Sequence, residues 1–384
     1  MKKRYWWLGL GVMLSLTGCT KKGYLDGVDM KCRDLAHTSV DRVGDDILYL
    51  EDGRIISYYD TSKNEKMPLC SLENCKHDNS QCEAYMDDYL MDATSFFSEG
   101  GKIYCAGLSS DSSNSRIIGM DNDGSNKKVL VESEHQITSF AMSNGCLVYS
   151  YMEVISSEDD DRKNESGLVI YDLVTGKSQK ISTMEAYNAN YLITGFDGKD
   201  IIYLTYGYEN EEGERDVTDA TFFKYSFDTE SSEELKFTWE NKELVKGLEI
   251  SDYYIAYRVC GEDKEYINVI DMVNDKVIYT FDLEGHDEIS KQWFLKSGVL
   301  YVGIREISVI DLETGEEKVV NAVGDSYDFV HIIDNCIDGY IMDIAYGADE
   351  MGNCSDVKRA FVDYDTFFNT ENFIYDNKCI IISE

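Results

Sequence analysis

Val309-Ile310-Asp311-Leu312-Glu313-Thr314-Gly315 reads as a strand that runs directly into a turn. Two other stretches share its spelling: Ile170-Tyr171-Asp172-Leu173-Val174-Thr175-Gly176 and Val269-Ile270-Asp271-Met272-Val273-Asn274-Asp275. The aspartate accepts a hydrogen bond from the backbone two residues on, and a Gly or Asn after it takes the left-handed conformation that closes a hairpin. The same device ends a strand at Asp60, Asp121, Asp228 and Asp365, which makes seven such aspartates with the three above.

Upstream of each aspartate lies a second signal, a turn rich in Gly or Asp that opens into a short apolar and aromatic strand. Examples are Gly44-Asp45-Asp46 before Ile47-Leu48-Tyr49-Leu50, Asn144-Gly145 before Leu147-Val148-Tyr149, and Ser297-Gly298 before Val299-Leu300-Tyr301. The others stand at Gly100-Gly101, Asp197-Gly198, Ser251-Asp252 and Asp338-Gly339. The repeated unit is strand, Gly turn, strand, loop, strand, Asp turn, strand. It recurs at roughly forty to sixty-one residues, and no long stretch carries a helical period. Four-stranded units at that spacing are propeller blades. The expected fold is therefore all-β, a seven-bladed β-propeller over residues 38–384, with a β-sandwich pair as the alternative. The 28 tyrosines and single proline suit Tyr-rich strands. Residues 38–376 resemble extracytoplasmic propellers with TolB-like or low-density-lipoprotein-receptor-like repeats, the former most closely at Asp121-Asn122-Asp123-Gly124-Ser125-Asn126. Cys379-Ile380-Ile381-Ile382-Ser383 is one more apolar strand, expected to help close the ring.

The N-terminus carries an address. Lys2, Lys3 and Arg4 precede an apolar run from Tyr5 to Leu16, and Leu16-Thr17-Gly18-Cys19 closes it. A basic start, a short apolar segment and small residues before a cut describe an export signal, here residues 1–18. The closing motif resembles a lipoprotein lipobox. The resemblance implies a diacylglyceryl group on the Cys19 sulfur, with palmitate-type chains and often a third chain on its amine. Two or more chains give stable anchoring. Residues 19–37 then read as the lipidated cysteine and a tether. The expected location is the extracytoplasmic face of the cell membrane, which the chain contacts only through the anchor.

The formal charge is −37, and loss of three signal-segment positives takes the mature chain to about −40. Such a surface repels nucleic acid and anionic headgroups.

Between the first two expected blades, in the loop 68–94, lies Pro68-Leu69-Cys70-Ser71-Leu72-Glu73-Asn74-Cys75-Lys76-His77-Asp78-Asn79-Ser80-Gln81-Cys82. Cys70, Cys75, His77 and Cys82 form a complete Cys₃His set for one structural zinc. A single disulfide with a spare thiol, or unliganded thiols, are the other readings, since exported cysteines commonly pair. Cys105, Cys146, Cys260 and Cys336 are scattered among strands without sequence partners, a usage that suits an anaerobic surface. The segment is similar to Pro-Leu-Cys…Cys-x-His…Cys stretches in lipid-anchored propellers of uncharacterised function from Gram-positive anaerobes. That resemblance brings no activity with it.

Other candidates are weaker. His37, His135 and His331 are isolated, and His286 lies among Glu284, Asp287 and Glu288. Asp159-Asp160-Asp161 and Asp121-Asn122-Asp123-Gly124 have the look of calcium loops, but the second lacks a distal glutamate and coincides with a turn. G-x-S-x-G, H-E-x-x-H and P-loop motifs are all missing from the sequence. The expectation is a non-catalytic binding or scaffold propeller for a surface protein, peptide or glycan. Long insertions at Glu153–Ser166 and Glu209–Ala220 would enlarge its rim. The alternative is an extracytoplasmic hydrolase or lyase on glycan or peptide, working through carboxylates or His331.

Overall fold

The computed structural model describes most of residues 32–383. Outside the description lie residues 1–31, 35–39, 44–45, 52–53, 87–88, 110–113, 159–160, 197–198, 209–219, 262–263, 285–291, 323–328, 336–338, 347–355 and 371–378, with the single positions 61, 64, 100, 144, 252, 297 and 384. The segment 1–18 read as an export signal, Cys19, His37, Asp159, Asp160 and His286 therefore fall outside the described residues. Among the described residues no helix is long and apolar enough to cross a membrane.

Antiparallel strands in sequence order make up almost everything described. A short strand β1 (Cys32–Asp34) precedes the first sheet, built from β2 (Val40–Val43), β3 (Asp46–Glu51), β4 (Ile55–Asp60) and β5 (Glu65–Pro68). The second sheet comprises β6 (Leu90–Glu99), β7 (Lys102–Ser109), β8 (Ser115–Asp121) and β9 (Lys128–Ser133). A larger sheet follows. It holds β10 (Gln136–Ser143), β11 (Cys146–Glu158), β12 (Asp161–Asp172), β13 (Lys177–Phe196), β14 (Asp200–Tyr208), β15 (Thr221–Ser226) and β16 (Ser231–Leu235), with β1 on its β10 edge. Next come β17 (Val245–Ser251), β18 (Tyr254–Cys260), β19 (Glu265–Asp271) and β20 (Lys276–Asp282). The fifth sheet is β21 (Trp293–Lys296), β22 (Val299–Val302), β23 (Glu306–Asp311) and β24 (Glu317–Asn321). The last is β25 (Phe329–Asn335), β26 (Gly339–Tyr346), β27 (Asp356–Asp363) and β28 (Ile380–Ser383).

The arrangement is a six-bladed propeller with one eight-stranded sheet, and the expectation of seven blades is corrected. The reason is β13. Its first part, Lys177 to Tyr187, pairs with β12, and its second, Tyr187 to Phe196, pairs with β14. A register irregularity between Tyr187 and Asn190 marks the passage. Two sequence repeats thus share one continuous strand of 20 residues. Turns set the repeat count in the sequence, and they do not report whether a connection between units is itself hydrogen-bonded.

The Asp turns work as their chemistry requires. Asp172 Oδ1 accepts from the Val174 and Thr175 N–H groups at 2.8 and 3.0 Å, and Asp311 Oδ1 from those of Glu313 and Thr314 at 3.0 and 2.8 Å. Asp271 and Asp60 repeat the pattern. These amide donors favour the carboxylate, and the Asp172 carboxyl is held below its ordinary range by the Thr175 and Val174 N–H groups. The last unit departs from the rule. There β27 ends at Asp363, which caps the helix α1 (Tyr364–Asn369) by accepting from Thr366 N–H at 2.8 Å, so Asp365 lies within the helix.

Side chains fill the spaces between sheets. Middle strands are buried on both faces: Ile103, Cys105, Ala106, Ile117 and Ile118 are fully covered, while outer strands such as β16 are exposed along most of their length. That explains the unbroken apolar runs of the second strands, since a sheet sandwiched between two others has no wet face. First strands touch one another around the axis, β2 against β6, β10 against β13, β13 against β17, β17 against β21 and β21 against β25. Phe361 of the last sheet packs among Ile56, Tyr59 and Ile118 of the first two. β28 forms the outer edge of the last sheet, pairing with Arg359, Ala360 and Phe361. Among the described residues, the ring closes by this packing and not by a strand shared between first and last sheets.

Candidate metal centre

Beyond β5 the chain makes an excursion over residues 69–89 and is pinned back against β4. Leu69 N–H donates to Ile56 C=O at 2.8 Å, Ile56 N–H to Ala84 C=O at 3.0 Å, and Met86 N–H to Arg54 C=O at 2.7 Å. Leu69, Cys82, Ala84 and Met86 are buried in the core between the first two sheets, with Ile103, Cys105, Ile118 and Met120. The two ends of the loop are thereby fixed, and the cysteines stand at those ends and on the turns between them.

Inside the loop, Asn74 and His77 adopt left-handed backbone conformations, with φ of 59° and 57°. A non-glycine residue there is strained by about 1–2 kcal/mol and is held by its surroundings. The two turns bring Cys70, Cys75, His77 and Cys82 together, with their ligand atoms all within 4.8 Å of one another. His77 Nδ1 lies 3.2 Å from Cys82 Sγ. A tetrahedral zinc with sulfur ligands has ligand–ligand edges of about 3.8 Å, so the set fits one ion after small adjustments. Among the described residues no other group of three or more His, Cys, Asp and Glu meets in this way.

The surroundings were not legible in the motif. Glu83 Oε2 accepts from both the N–H and the hydroxyl of Ser71 at 2.8 Å, tying the loop's two legs together. Lys127, from the neighbouring sheet, lies close enough to Cys82, Glu83 and Cys70 to feel their charge, although burial pushes its own amine down. Burial pushes the Cys82 thiol up to about 12, whereas at Cys70 burial is outweighed by the backbone N–H groups of Leu72 and Glu83 and by the neighbouring thiols, so that thiol is lowered. A cation at the centre would release these protons. Gly124 packs closely against the loop. A Cβ there would stand 2.6 Å from Leu69 O and 3.0 Å from Glu83 O, and its φ is +84°. Nothing in C-x4-C-x-H-x4-C points to a glycine more than forty residues on.

Cys70, Cys75, Cys82, Cys105, Cys146, Cys260 and Cys379 are free thiols. The scattered ones behave as small hydrophobes, Cys105 being fully buried with its thiol pushed up by that burial.

No family model matches the chain, and no curated protein does. Solved structures do. An oligogalacturonate lyase from Vibrio parahaemolyticus is similar over 85% of this chain and 92% of that one, at 10% identity and TM-score 0.48. The β-propeller domain of the Trilobed protease from Pyrococcus furiosus, described as having an open velcro topology, is similar over 89% and 98%, at 12% identity and TM-score 0.46. TolB from Acinetobacter baumannii covers 80% of this chain and 75% of its own, at 12% identity and TM-score 0.33. At these levels the likeness carries no argument about this chain's chemistry.

Among the described residues, the other sequence candidates do not assemble into a site. In the Asp121 turn, Asp123 Oδ1 accepts from Ser125 N–H at 3.0 Å and Asp121 Oδ2 from Asn126 Nδ2 at 2.6 Å, so both carboxylates serve the turn. His331 sits on β25 opposite Asp343, whose carboxylate is held by Arg359 at 2.9 and 3.1 Å. The described part of Glu153–Ser166 is not a loop but an extension of β11 and β12, while 209–219 lies outside the description. That extension carries a polar cluster the sequence did not signal. The Tyr151 hydroxyl donates to Glu165 at 2.7 Å, Lys180 reaches Glu165 at 3.2 Å, and His135 stacks on Tyr151 at 5.0 Å and approaches Glu153 at 3.3 Å. Its members come from four separate elements, so only a register could have revealed it.

Proposed function

We propose that the chain is a lipid-anchored, extracytoplasmic propeller acting as a binding or scaffold protein for a surface protein, peptide or glycan, with one structural zinc pinning the loop between its first two sheets. The observation that carries the metal part is the number of protein ligands. Catalytic zinc keeps a position open for water or substrate, whereas four converging side chains close a tetrahedral shell. Held by Cys70, Cys75, Cys82 and His77, the ion would fix a segment with few backbone bonds of its own. The anchor rests on the lipobox at Cys19, and the binding role on a chain without a recognisable catalytic motif.

Protein purified without oxidant is expected to contain about one zinc per chain by elemental analysis, released by chelator to give three newly reactive thiols. His77→Ala should retain the ion less tightly, because water would take the fourth position. Metal-free protein with an intact mass two daltons below the fully reduced value would mean a disulfide instead. For the anchor, Cys19→Ala is expected to shift the protein from the membrane to the soluble or secreted fraction. A variant that still sediments with membranes in high salt would sink that part.

A further inference from the structure

Three thiols that converge for a metal also converge on one another. The ligand atoms of Cys70, Cys75, His77 and Cys82 lie within mutual reach, so any two of the sulfurs need only a small movement to bond. Cys105 packs in the same core cluster but does not belong to the group. The chemistry open to the three is therefore that of neighbouring thiols as well as that of a metal.

Their surroundings differ in a way that selects one pair. Cys82 is buried in the core with Ile103 and Ile118. Its backbone is held on both sides: Cys82 N–H donates to Asn79 C=O at 2.9 Å, and Tyr85 N–H donates to Cys82 C=O at 3.2 Å. The close approach of His77 Nδ1 gives its sulfur a polar partner. Cys70 and Cys75 are half-buried, and Ser71, Leu72, Glu73 and Asn74 between them are all exposed. The left-handed backbone of Asn74 carries Cys75 back toward Cys70, and Cys75 N–H reaches Leu72 C=O at 3.4 Å, a long bond. Solvent therefore reaches Cys70 and Cys75, and the turn between them can shift with little loss of buried surface. Moving Cys82 would open the core.

We propose that Cys70 and Cys75 form a peroxide-modification site, at which hydrogen peroxide joins them in a disulfide and so dismantles the metal-binding set. This rests on the zinc reading above. Overall, two thiolates, one peroxide and two protons give one disulfide and two waters. One sulfur attacks the peroxide O–O bond and keeps one oxygen as a sulfenic acid, while the other oxygen leaves as hydroxide and is protonated to water. The second thiolate attacks that sulfur, the S–S bond forms, and the S–O bond breaks to release the second water. The sulfurs lose two electrons and the peroxide gains them. Cys82 and His77 remain, half of a tetrahedral set, and two ligands hold zinc too weakly to keep it from a chelator. The change stays local, because the loop's ends are bonded to Ile56 and Arg54 outside the cluster. Beyond the membrane, where the chain is proposed to sit, the cytosolic thiol pool is not present to reverse the bond.

The test uses the full reduced chain carrying its zinc, treated with about ten equivalents of hydrogen peroxide beside a chromogenic zinc chelator. Zinc release is expected to exceed that of the untreated sample by about tenfold, with the intact mass about two daltons below the fully reduced value. Peptide mapping should join Cys70 to Cys75 and leave Cys82 and Cys105 as thiols. Dithiothreitol should then restore both thiols, and added zinc should rebind. Zinc that stays bound with its thiols unoxidised, a bridge that includes Cys82, or sulfinic acid as the main product overturns the proposal while the zinc reading stands. A reduced chain that holds no zinc as purified overturns the zinc reading, and the release with it.

Discussion

Phe367→Ala is expected to lower the unfolding free energy by about 3–5 kcal/mol, the usual cost of emptying a buried aromatic site. Phe367 is fully buried, and its ring lies 4.5 Å from Tyr340 and 5.1 Å from Phe368. Tyr340 in turn contacts Tyr301 of the preceding sheet at 5.6 Å, so the ring of Phe367 joins the last two sheets. A helix of six residues has no stability of its own and stays only because its one buried side chain docks. Urea unfolding followed by tyrosine and tryptophan fluorescence measures the loss. Phe368→Ala, on the half-buried side of the same helix, should cost clearly less. A loss under about 1 kcal/mol at Phe367 would mean that α1 is an ornament on the last sheet.

Gly124→Ala is expected to destabilise by about 2–4 kcal/mol and to expose the cysteine loop. About 1–2 kcal/mol comes from forcing alanine into the left-handed region, and the rest from a Cβ pressed against the carbonyl oxygens of Leu69 and Glu83. Gly315→Ala isolates the first part. That turn has φ of +71° and nothing within 4 Å of the added carbon, so only the conformational cost applies. The loop-specific part is read by thiol labelling of Cys82, which is 2% exposed in the folded chain. Its labelling should accelerate in the Gly124 variant and not in the Gly315 variant. Equal behaviour of the two would show that the Asp121 turn and the loop do not support each other.

Much of the fold was legible because the turns are spelled in chemistry that does not depend on distant partners. Asp172, Asp271 and Asp311 bond to their own next residues, so a local reading suffices. The blade count failed where the deciding fact was non-local. Whether Lys177–Phe196 is two strands or one depends on what lies on either side of it. The final unit misled for a related reason: Asp365 resembles the other turn aspartates, but Asp363 captures Thr366 first and starts a helix. At the candidate metal centre the four converging residues were visible because they sit within thirteen residues of each other. Glu83, Lys127 and Gly124 were not, since their roles arise from the packing of one sheet's loop on the next sheet's turn.

Closure by packing makes this ring a belt with a buckle. Every other pair of neighbouring sheets is tied by the chain itself, and the eight-stranded sheet by a continuous ladder of backbone bonds across β13. The last and first sheets meet, among the described residues, through side chains such as Phe361. Parting them costs the re-exposure of apolar surface, about 1.5–3 kcal/mol per large side chain, and breaks no ladder connection among the described residues. Thermal opening is therefore expected first at that seam, and hydrogen exchange that is no faster in the first and last sheets than in the eight-stranded one would contradict it.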